Sequence, residues 1–427
     1  MALLSKFIYL FGAKLRNPSL MGIYSALKKT EFANYDELEK IQLDKLKTLL
    51  KSAYQYSPFY RDLFDAHNFD PEIETLSDIK ALPTITKRDL IEQNAQIHSQ
   101  QQFKKTLLAE TSGTSGEALA FYRNEEWDST NRASVMRCYD WYNVKPWDKN
   151  GYFWGYNIEQ GEAKKVKLLD WLQNRIRIFR YDDESITAFA KDLNSAKFLS
   201  GYSSMIYQIA KKVNALNLKV SGIKMVKGTS EMILDAYQPE VKKAFGCKMI
   251  SEYGAAESGL IAFECPEGSM HINMENVYVE IDDNKEIIVT NLASHSFPII
   301  RYRLGDYISL GEAKCACGRA HKVIKEIYGR KGSSILGTQK EYPALTFYYV
   351  FKNIALKDEI LINYKAEQFE CGTVILKIEG QPTPLWEQLI NREMNKYFGD
   401  DLRFSVEYID KFETQTKKQQ YFESFIK

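Results

Sequence analysis

The chain has 427 residues, with 57 Lys and Arg against 56 Asp and Glu and five His. This length implies two or three domains, and 44% hydrophobic with 26% charged residues excludes a disordered chain. A net charge of +1 argues against a broad nucleic-acid footprint, and six Cys are too few for a secreted disulfide scaffold, so a reduced, cytoplasmic setting is expected.

In residues 1–17, Leu3, Leu4, Ile8 and Leu10 with Lys6, Lys14 and Arg16 read as an amphipathic helix. Two uses for it stay open: packing on its own domain, or weak, reversible contact with a membrane surface. Lys6 breaks the apolar run and no small-residue cleavage site follows, which argues against a signal peptide. Residues 36–100 read as helices: Leu38, Ile41, Leu43, Leu46, Leu49 and Leu50 recur at helical spacing, and Ser57-Pro58 closes one helix and opens the next. Leu82-Pro83-Thr84-Ile85-Thr86 looks extended, with a helix from about Lys87.

From about 106 to 330 short apolar runs alternate with helices. Ala118-Leu119-Ala120-Phe121-Tyr122, Gly222-Ile223-Lys224-Met225-Val226 and Lys248-Met249-Ile250-Ser251 read as strands, with a helix over Tyr237–Phe245 between the last two. Strand–helix–strand order implies a buried parallel sheet. Residues 277–310 alternate instead in the antiparallel manner, with a turn at 282–284. Past Gly329-Arg330-Lys331-Gly332 come a helix near 343–355, a strand near 371–379, a helix near 384–398 and a strand near 402–409. That small α+β unit after a glycine-bearing joint reads as a lid on a hinge.

Thr111-Ser112-Gly113-Thr114-Ser115-Gly116 stands directly before a strand. Two glycines permit a tight loop, and its N–H and hydroxyl donors suit phosphate oxygens. It is no P-loop, because no Gly-Lys-Ser/Thr follows. Downstream, in order, lie Gly228-Thr229-Ser230-Glu231, Tyr253-Gly254-Ala255-Ala256-Glu257, Arg301-Tyr302-Arg303-Leu304-Gly305-Asp306 and Gly329-Arg330. This series resembles the adenylate-forming superfamily of acyl-CoA synthetases and peptide-synthetase adenylation domains. More narrowly it looks like the phenylacetate–CoA ligase and CapK-like (capsular polysaccharide) branch. That branch is marked here by Tyr56-Ser57-Pro58-Phe59-Tyr60, Leu82-Pro83-Thr84-Ile85-Thr86-Lys87 and Phe297-Pro298-Ile299-Ile300-Arg301-Tyr302.

The resemblance implies an α/β fold: a large N-terminal domain of mixed sheets and flanking helices plus a small α+β C-terminal lid. The expected divisions are a helical part over 1–105, a nucleotide- and acid-binding core over 106–330, and a mobile lid over 331–427. By the same resemblance the loop at 111–116 holds the β- and γ-phosphates of ATP, Tyr253 lies against adenine with Gly254 a further nucleotide-binding residue, and Glu257 holds Mg²⁺. Asp306 accepts the ribose hydroxyls, Arg330 lies near ribose and phosphate, and Glu231 is taken as a further nucleotide contact. Lys418 matches the C-terminal lysine that neutralises charge at the α-phosphate, with Lys417 the alternative. Tyr156, Tyr202, Ser203, Lys227 and Ala255 are the expected acid pocket. Ala256 stands where many relatives have Ser or Thr, and Gly332-Ser333 replaces a common acidic pair.

Cys265, His271, Cys315 and Cys317 make a second constellation. Three thiolates and an imidazole complete a tetrahedral structural zinc site, with His321 as the alternative fourth ligand. Cys138, Cys247 and Cys371 read as core. The expected activity is adenylation of a small carboxylic acid by ATP with Mg²⁺, and transfer of the acyl group to CoA. An amine or sugar acceptor in surface-polysaccharide synthesis is the other enzymatic reading, and a catalytically degenerate binding subunit a third.

Overall fold

The computed structural model describes residues 2–111, 119–153, 163–178, 183–311, 314–330, 334–343, 346–358, 360, 362–412 and 421–426. The chain divides into two compact units that interleave in sequence. The first is Met1–Asp148 with Ser251–Ile327, the second Lys149–Ile250 with Tyr328–Lys427.

In the first unit the helix Tyr35–Tyr56 starts at a capping box, in which Asn34 accepts from the Glu37 N–H and the Glu37 carboxylate accepts from the Asn34 N–H. Leu38, Leu46, Leu49, Leu50 and Ala53 are its buried stripe. It ends at Ser57, and Pro58 takes the first position of the helix Pro58–Ala66, where a missing N–H costs nothing. A second capping box, Thr86 with Asp89, opens the helix Lys87–Glu92. The long central helix Glu125–Asp140 is buried along most of its length. The strands Val277–Ile281, Glu286–Asn291, Tyr302–Gly311, Val323–Arg330, Met270–Ile272, Gly259–Glu264 and Met249–Ala255 lie side by side in that order. The 277–281/286–291 hairpin is antiparallel with Val279 opposite Val289, as the alternation implies. One hydrophobic core joins these strands to the helices of residues 38–97.

The second unit carries four parallel strands, ordered Met225–Thr229, Phe198–Tyr202, Asn150–Phe153 and Arg175–Arg177, as strand–helix–strand succession requires. The expected helix is present at Tyr237–Phe245. The C-terminal residues build a mixed sheet, ordered Arg403–Ile409, Thr373–Glu379, Tyr364–Glu370 and Phe422–Ser424, with helices Thr346–Asp358 and Pro384–Phe398. Their side chains share a core with residues 153–249 of the same unit. Tyr421 donates to the Met232 carbonyl at 3.0 Å and its hydroxyl lies 3.1 Å from that of Tyr237. Cys371, expected in the core, is exposed. It sits in the turn between Tyr364–Glu370 and Thr373–Glu379, a strand pair of which only the second was read from the sequence.

Close strand packing leaves no space at Gly201, where a Cβ would stand 2.2 Å from the Phe153 carbonyl oxygen. The obstacle is backbone, which cannot swing aside. Gly201→Ala is therefore expected to destabilise the second unit by about 2–3 kcal/mol, read as a lower denaturant midpoint. A midpoint equal to wild type would contradict this packing.

Candidate functional site

Of the residues expected to meet the nucleotide, Tyr253, Gly254, Glu257 and Asp306 fall on the first unit. Tyr302–Gly311 alternates buried and half-buried positions, which places Tyr302, Leu304 and Asp306 on its inner face. Tyr253, on Met249–Ala255, donates its hydroxyl to Asp306 Oδ2 at 2.8 Å. Glu257 lies in the turn after that strand, buried, with the Tyr302 hydroxyl 3.4 Å from its Oε1. Asn291 fixes the turn by donating to the carbonyls of Glu257 and Ser258 at 3.2 and 3.0 Å. Two motifs far apart in sequence therefore bring Tyr253 to Asp306 and Tyr302 to Glu257, although their strands, Met249–Ala255 and Tyr302–Gly311, are not neighbours in the sheet. Carboxylates are acceptor-only, which suits one to sugar hydroxyls and the other to a hard cation.

The three short motifs of the N-terminal half and residue 297 onward also meet. Tyr60 donates to the Pro298 carbonyl at 3.1 Å and accepts from the Ile300 N–H at 3.2 Å. Ile85 N–H donates to the Arg301 carbonyl at 3.0 Å, and Arg303 N–H to the Ile85 carbonyl at 2.8 Å. Arg301 binds the carbonyls of Lys80 and Leu82 and pairs with Glu280. These residues are scaffold: they fix where Tyr302–Gly311 starts, and with it Asp306.

Thr111 and Leu119 close the neck of the Ser/Thr/Gly loop. Thr111 N–H donates to the Leu119 carbonyl at 2.9 Å, and its Oγ1 accepts from Leu119 N–H at 3.0 Å. Ser112, Gly113, Thr114, Ser115 and Gly116 lie outside the described residues, as do Tyr156, Lys417 and Lys418. Arg330 ends the strand Val323–Arg330, and its side chain is likewise outside the description. Gly254 and Ala255 end Met249–Ala255.

On the second unit, the Glu231 carboxylate accepts from the Ser204 N–H at 2.8 Å, and Ser203 Oγ donates to the Glu231 carbonyl at 3.3 Å. Glu231 thus sits at the N-terminus of the helix Ser203–Ala215, where the dipole favours an anion. Tyr202 precedes that helix, and Lys227 lies buried in Met225–Thr229.

The cysteine–histidine constellation is brought together on the first unit. The ligand atoms of Cys265, His271, Cys315 and Cys317 all lie within 4.8 Å of one another. Cys265 opens a turn in which the Gly268 N–H returns to the Cys265 carbonyl at 2.8 Å. Cys315 opens another, closed by Gly318 at φ +79°, a left-handed conformation costly for any side chain. The Cys265 and Cys315 sulfurs are 3.7 Å apart, and the edge of a tetrahedron with Zn–S bonds of about 2.3 Å is about 3.75 Å. His271 presents Nε2 to Cys317 Sγ at 3.2 Å, and its Nδ1 lies 3.2 Å from the His321 carbonyl. An Nδ1–H bond of that kind fixes the tautomer that leaves Nε2 free for a metal. Burial drives the His271 imidazole down to about 4, so it stays neutral. Burial likewise pushes the Cys265 thiol up to about 12. Burial also opposes ionisation at Cys315, but hydrogen bonds from Ser269 and the Cys317 N–H outweigh it and hold that thiol below its ordinary value.

Sequence reasoning missed what stands behind this cluster. His321 does not join it; its Nε2 lies 3.1 Å from Glu275 Oε2. Glu275 also pairs with Arg137 of the central helix and accepts the Thr30 hydroxyl at 2.7 Å. Arg137 further donates to Asn273 Oδ1 at 2.6 Å. The Arg137 guanidinium, with His321, holds the buried Glu275 carboxyl well below the carboxylate range. The available signal was Asn273, Glu275 and Asn276 interrupting an apolar run. Arg137→Met strands this buried anion and is expected to cost about 3–5 kcal/mol, seen as a lower urea midpoint. An unshifted midpoint would remove the pair from the account.

The chain matches no protein-family model. It is 22% identical to the protein CapK of Staphylococcus aureus over 411 residues, 91% of this chain and 89% of CapK. It is 26% identical to the phenylacetate–coenzyme A ligase of Escherichia coli K12 over 316 residues, 66% of this chain and 70% of the ligase. A crystal structure of 2-hydroxyisobutyryl-CoA ligase in the postadenylation state, in complex with 2-HIB-AMP, shares the fold with a TM-score of 0.73 at 15% identity, over 93% of this chain and 91% of that one. Along most of its length the chain is thus similar in sequence to CapK and to the phenylacetate–CoA ligase, and it has the fold of the 2-hydroxyisobutyryl-CoA ligase structure.

Proposed function

We propose that the chain is a carboxylic-acid ligase that uses ATP to make an acyl-adenylate and then passes the acyl group to a nucleophile, by default CoA. The observation that carries this reading is the 2.8 Å bond between the Tyr253 hydroxyl and Asp306, which joins the two motifs assigned to adenine and ribose. Similarity to the phenylacetate–coenzyme A ligase supports CoA as acceptor.

In the first step a carboxylate oxygen attacks the α-phosphorus, and the bond to the β-phosphate oxygen breaks to release pyrophosphate. The acid is already ionised, so no general base is required. The difficulty is bringing anions together, and catalysis is positioning and charge neutralisation. Asp306 holds the ribose, residues 111–116 the β- and γ-phosphates, and Lys418, or Lys417 beside it, the charge at the α-phosphate. Glu257, a buried oxygen donor steadied by Tyr302, suits Mg²⁺, which supplies further charge neutralisation when bound. In the second step the acceptor attacks the acyl carbonyl carbon and AMP leaves. Tyr202, Ser203, Lys227, Ala255 and Tyr156 are the proposed acid pocket, with residues 331–427 acting as the lid.

Similarity to CapK over 91% of the chain supports a second acceptor class, an amine or sugar in surface-polysaccharide synthesis. The polar residues Tyr202, Ser203 and Lys227 in the proposed pocket favour a polar acid over a plain aryl one. Pyrophosphate release with a panel of aryl, fatty, amino and uronic acids tests the whole reading. Release with CoA consumption supports the thioester product, release without it the amine or sugar, and no release with any acid would leave only a binding subunit. Asp306→Ala is expected to lower kcat/KM for ATP by at least about tenfold, and the Lys417→Ala/Lys418→Ala pair to slow adenylation about a hundredfold. Full activity in the double lysine variant would sink that assignment.

The Cys265, His271, Cys315 and Cys317 cluster is proposed as a closed structural zinc site, with no open position for catalysis. Elemental analysis of fresh protein is expected to find about one zinc per chain, lost together with several degrees of melting temperature in Cys315→Ser/Cys317→Ser. Less than about a tenth of an equivalent in wild type would count decisively against it.

A further inference from the structure

The first helix, Ala2–Arg16, is only half docked. Tyr9 and Ala13 turn inward onto the small core of Leu20, Leu27, Ala133 and Met136, with the Tyr9 ring 5.5 Å from that of Trp147. The other face is open: Leu3 is 84% exposed, Leu4 53%, Phe7 67%, Phe11 56% and Leu15 66%. Residues 3, 7, 11 and 15 follow one another at i+4, so they form a single stripe along the helix, and the Phe7 and Phe11 rings stack at 6.2 Å. The helix cannot roll this stripe inward, because its end is tied down. Lys105 donates to the carbonyls of Leu15 and Arg16 at 3.0 and 2.9 Å, and the Asn17 amide donates to Asp128 at 2.9 Å.

Charge identifies the occupant. Residues 1–30 contain Lys6, Lys14, Arg16, Lys28 and Lys29 and no Asp or Glu, whereas the rest of the chain carries 52 Lys and Arg against 56 Asp and Glu. Lys14 and Arg16 lie in the last turn of the helix and are exposed, with no carboxylate partner among the described residues. The helix has 15 residues, about 22 Å, too short and too cationic to span a bilayer but suited to lie in its interface. We propose that this helix docks the protein on an anionic lipid surface, with Leu3, Leu4, Phe7, Phe11 and Leu15 among the acyl chains and Lys14 and Arg16 at the headgroups. A second copy is the poorer occupant, since a self-contact would join two helices that each carry Lys6, Lys14 and Arg16 and no carboxylate to offset them. The inference is independent of the ligase reading.

Co-sedimentation of the full-length protein with vesicles tests it. Phosphatidylcholine vesicles containing about 30% phosphatidylglycerol are expected to bind at least about tenfold more protein than pure phosphatidylcholine, with binding reduced by about 0.5 M salt. Phe7→Glu/Phe11→Glu is expected to abolish binding while preserving far-UV circular dichroism and pyrophosphate release. Lys14→Glu/Arg16→Glu, which leaves the apolar stripe intact, is expected to erase the preference for anionic vesicles. Absence of binding to anionic vesicles would overturn the proposal, as would equal binding by the Phe variant. A wild-type dimer that the Phe variant makes monomeric, without vesicle binding, would assign the face to a second copy.

Discussion

Much of the first unit is organised around one buried anion. Glu275 sits in the turn between Met270–Ile272 and Val277–Ile281 and gathers partners from four directions. They are Arg137 on the central helix, Thr30 at the end of the helix Leu20–Lys29, His321 beside the Cys315–Cys317 turn, and Lys45, whose ammonium donates to the Glu275 carbonyl at 2.6 Å. A carboxylate in a low-dielectric interior is tolerable only when its oxygens are saturated by charged or strongly polar donors. That requirement works as a positional constraint. Strand turn, central helix, N-terminal helices and the Cys315–Cys317 turn cannot shift independently without exposing an unsatisfied charge.

The strand Tyr302–Gly311 is positioned by a different device. Here the fixed points are main-chain hydrogen bonds between segments that are far apart in sequence: Ile85 to Arg301 and Arg303, Tyr60 to Pro298 and Ile300. Tyr302 begins a strand whose alternation then presents Tyr302 itself, with its hydroxyl toward Glu257, and Asp306, with its carboxylate toward Tyr253. Tyr60, Ile85 and residues 297–301 lie outside that strand. They decide its register, and so act as positioning residues.

This explains what was readable in the chain and what was not. Local rules located the helices at 35–56, 58–66 and 237–245 and the 277–291 hairpin, because caps, Pro58 and period-two alternation act over a few residues. The ligand set Cys265, His271, Cys315 and Cys317 was readable because thiols are scarce and the Cys-Ala-Cys-Gly turn is compact. Glu275 and Arg137 were not, since the polar interruption at 273–276 does not identify a partner 138 residues away. The strand Tyr364–Glu370, with Lys365, Glu367, Gln368 and Glu370 in seven positions, has weak intrinsic preference for extension. Pairing with Thr373–Glu379 decides its state. Without it, Cys371 falls wrongly inside a strand rather than at a turn.

The buried anion also couples the Cys315–Cys317 turn to the N-terminal helices. Arg319, two residues past Cys317, pairs with Glu31 at 2.5 Å and lies over the rings of Trp141 and Phe32. His321 gives its carbonyl to His271 and its ring nitrogen to Glu275, whose other oxygen receives Thr30. Residues 314–321 offer few apolar side chains to hold themselves in place, so these polar ties carry much of their order. What they order in turn is the seat of the helix Leu20–Lys29, and through Asn17 and Ser19 on Asp128 and Glu125 the end of the first helix. An amphipathic helix on a loose tether would bury its own apolar stripe against the nearest groove. A stripe anchored at one end by hydrogen bonds to a rigid, charge-saturated core instead stays outward, and its exposure becomes a built feature of the fold.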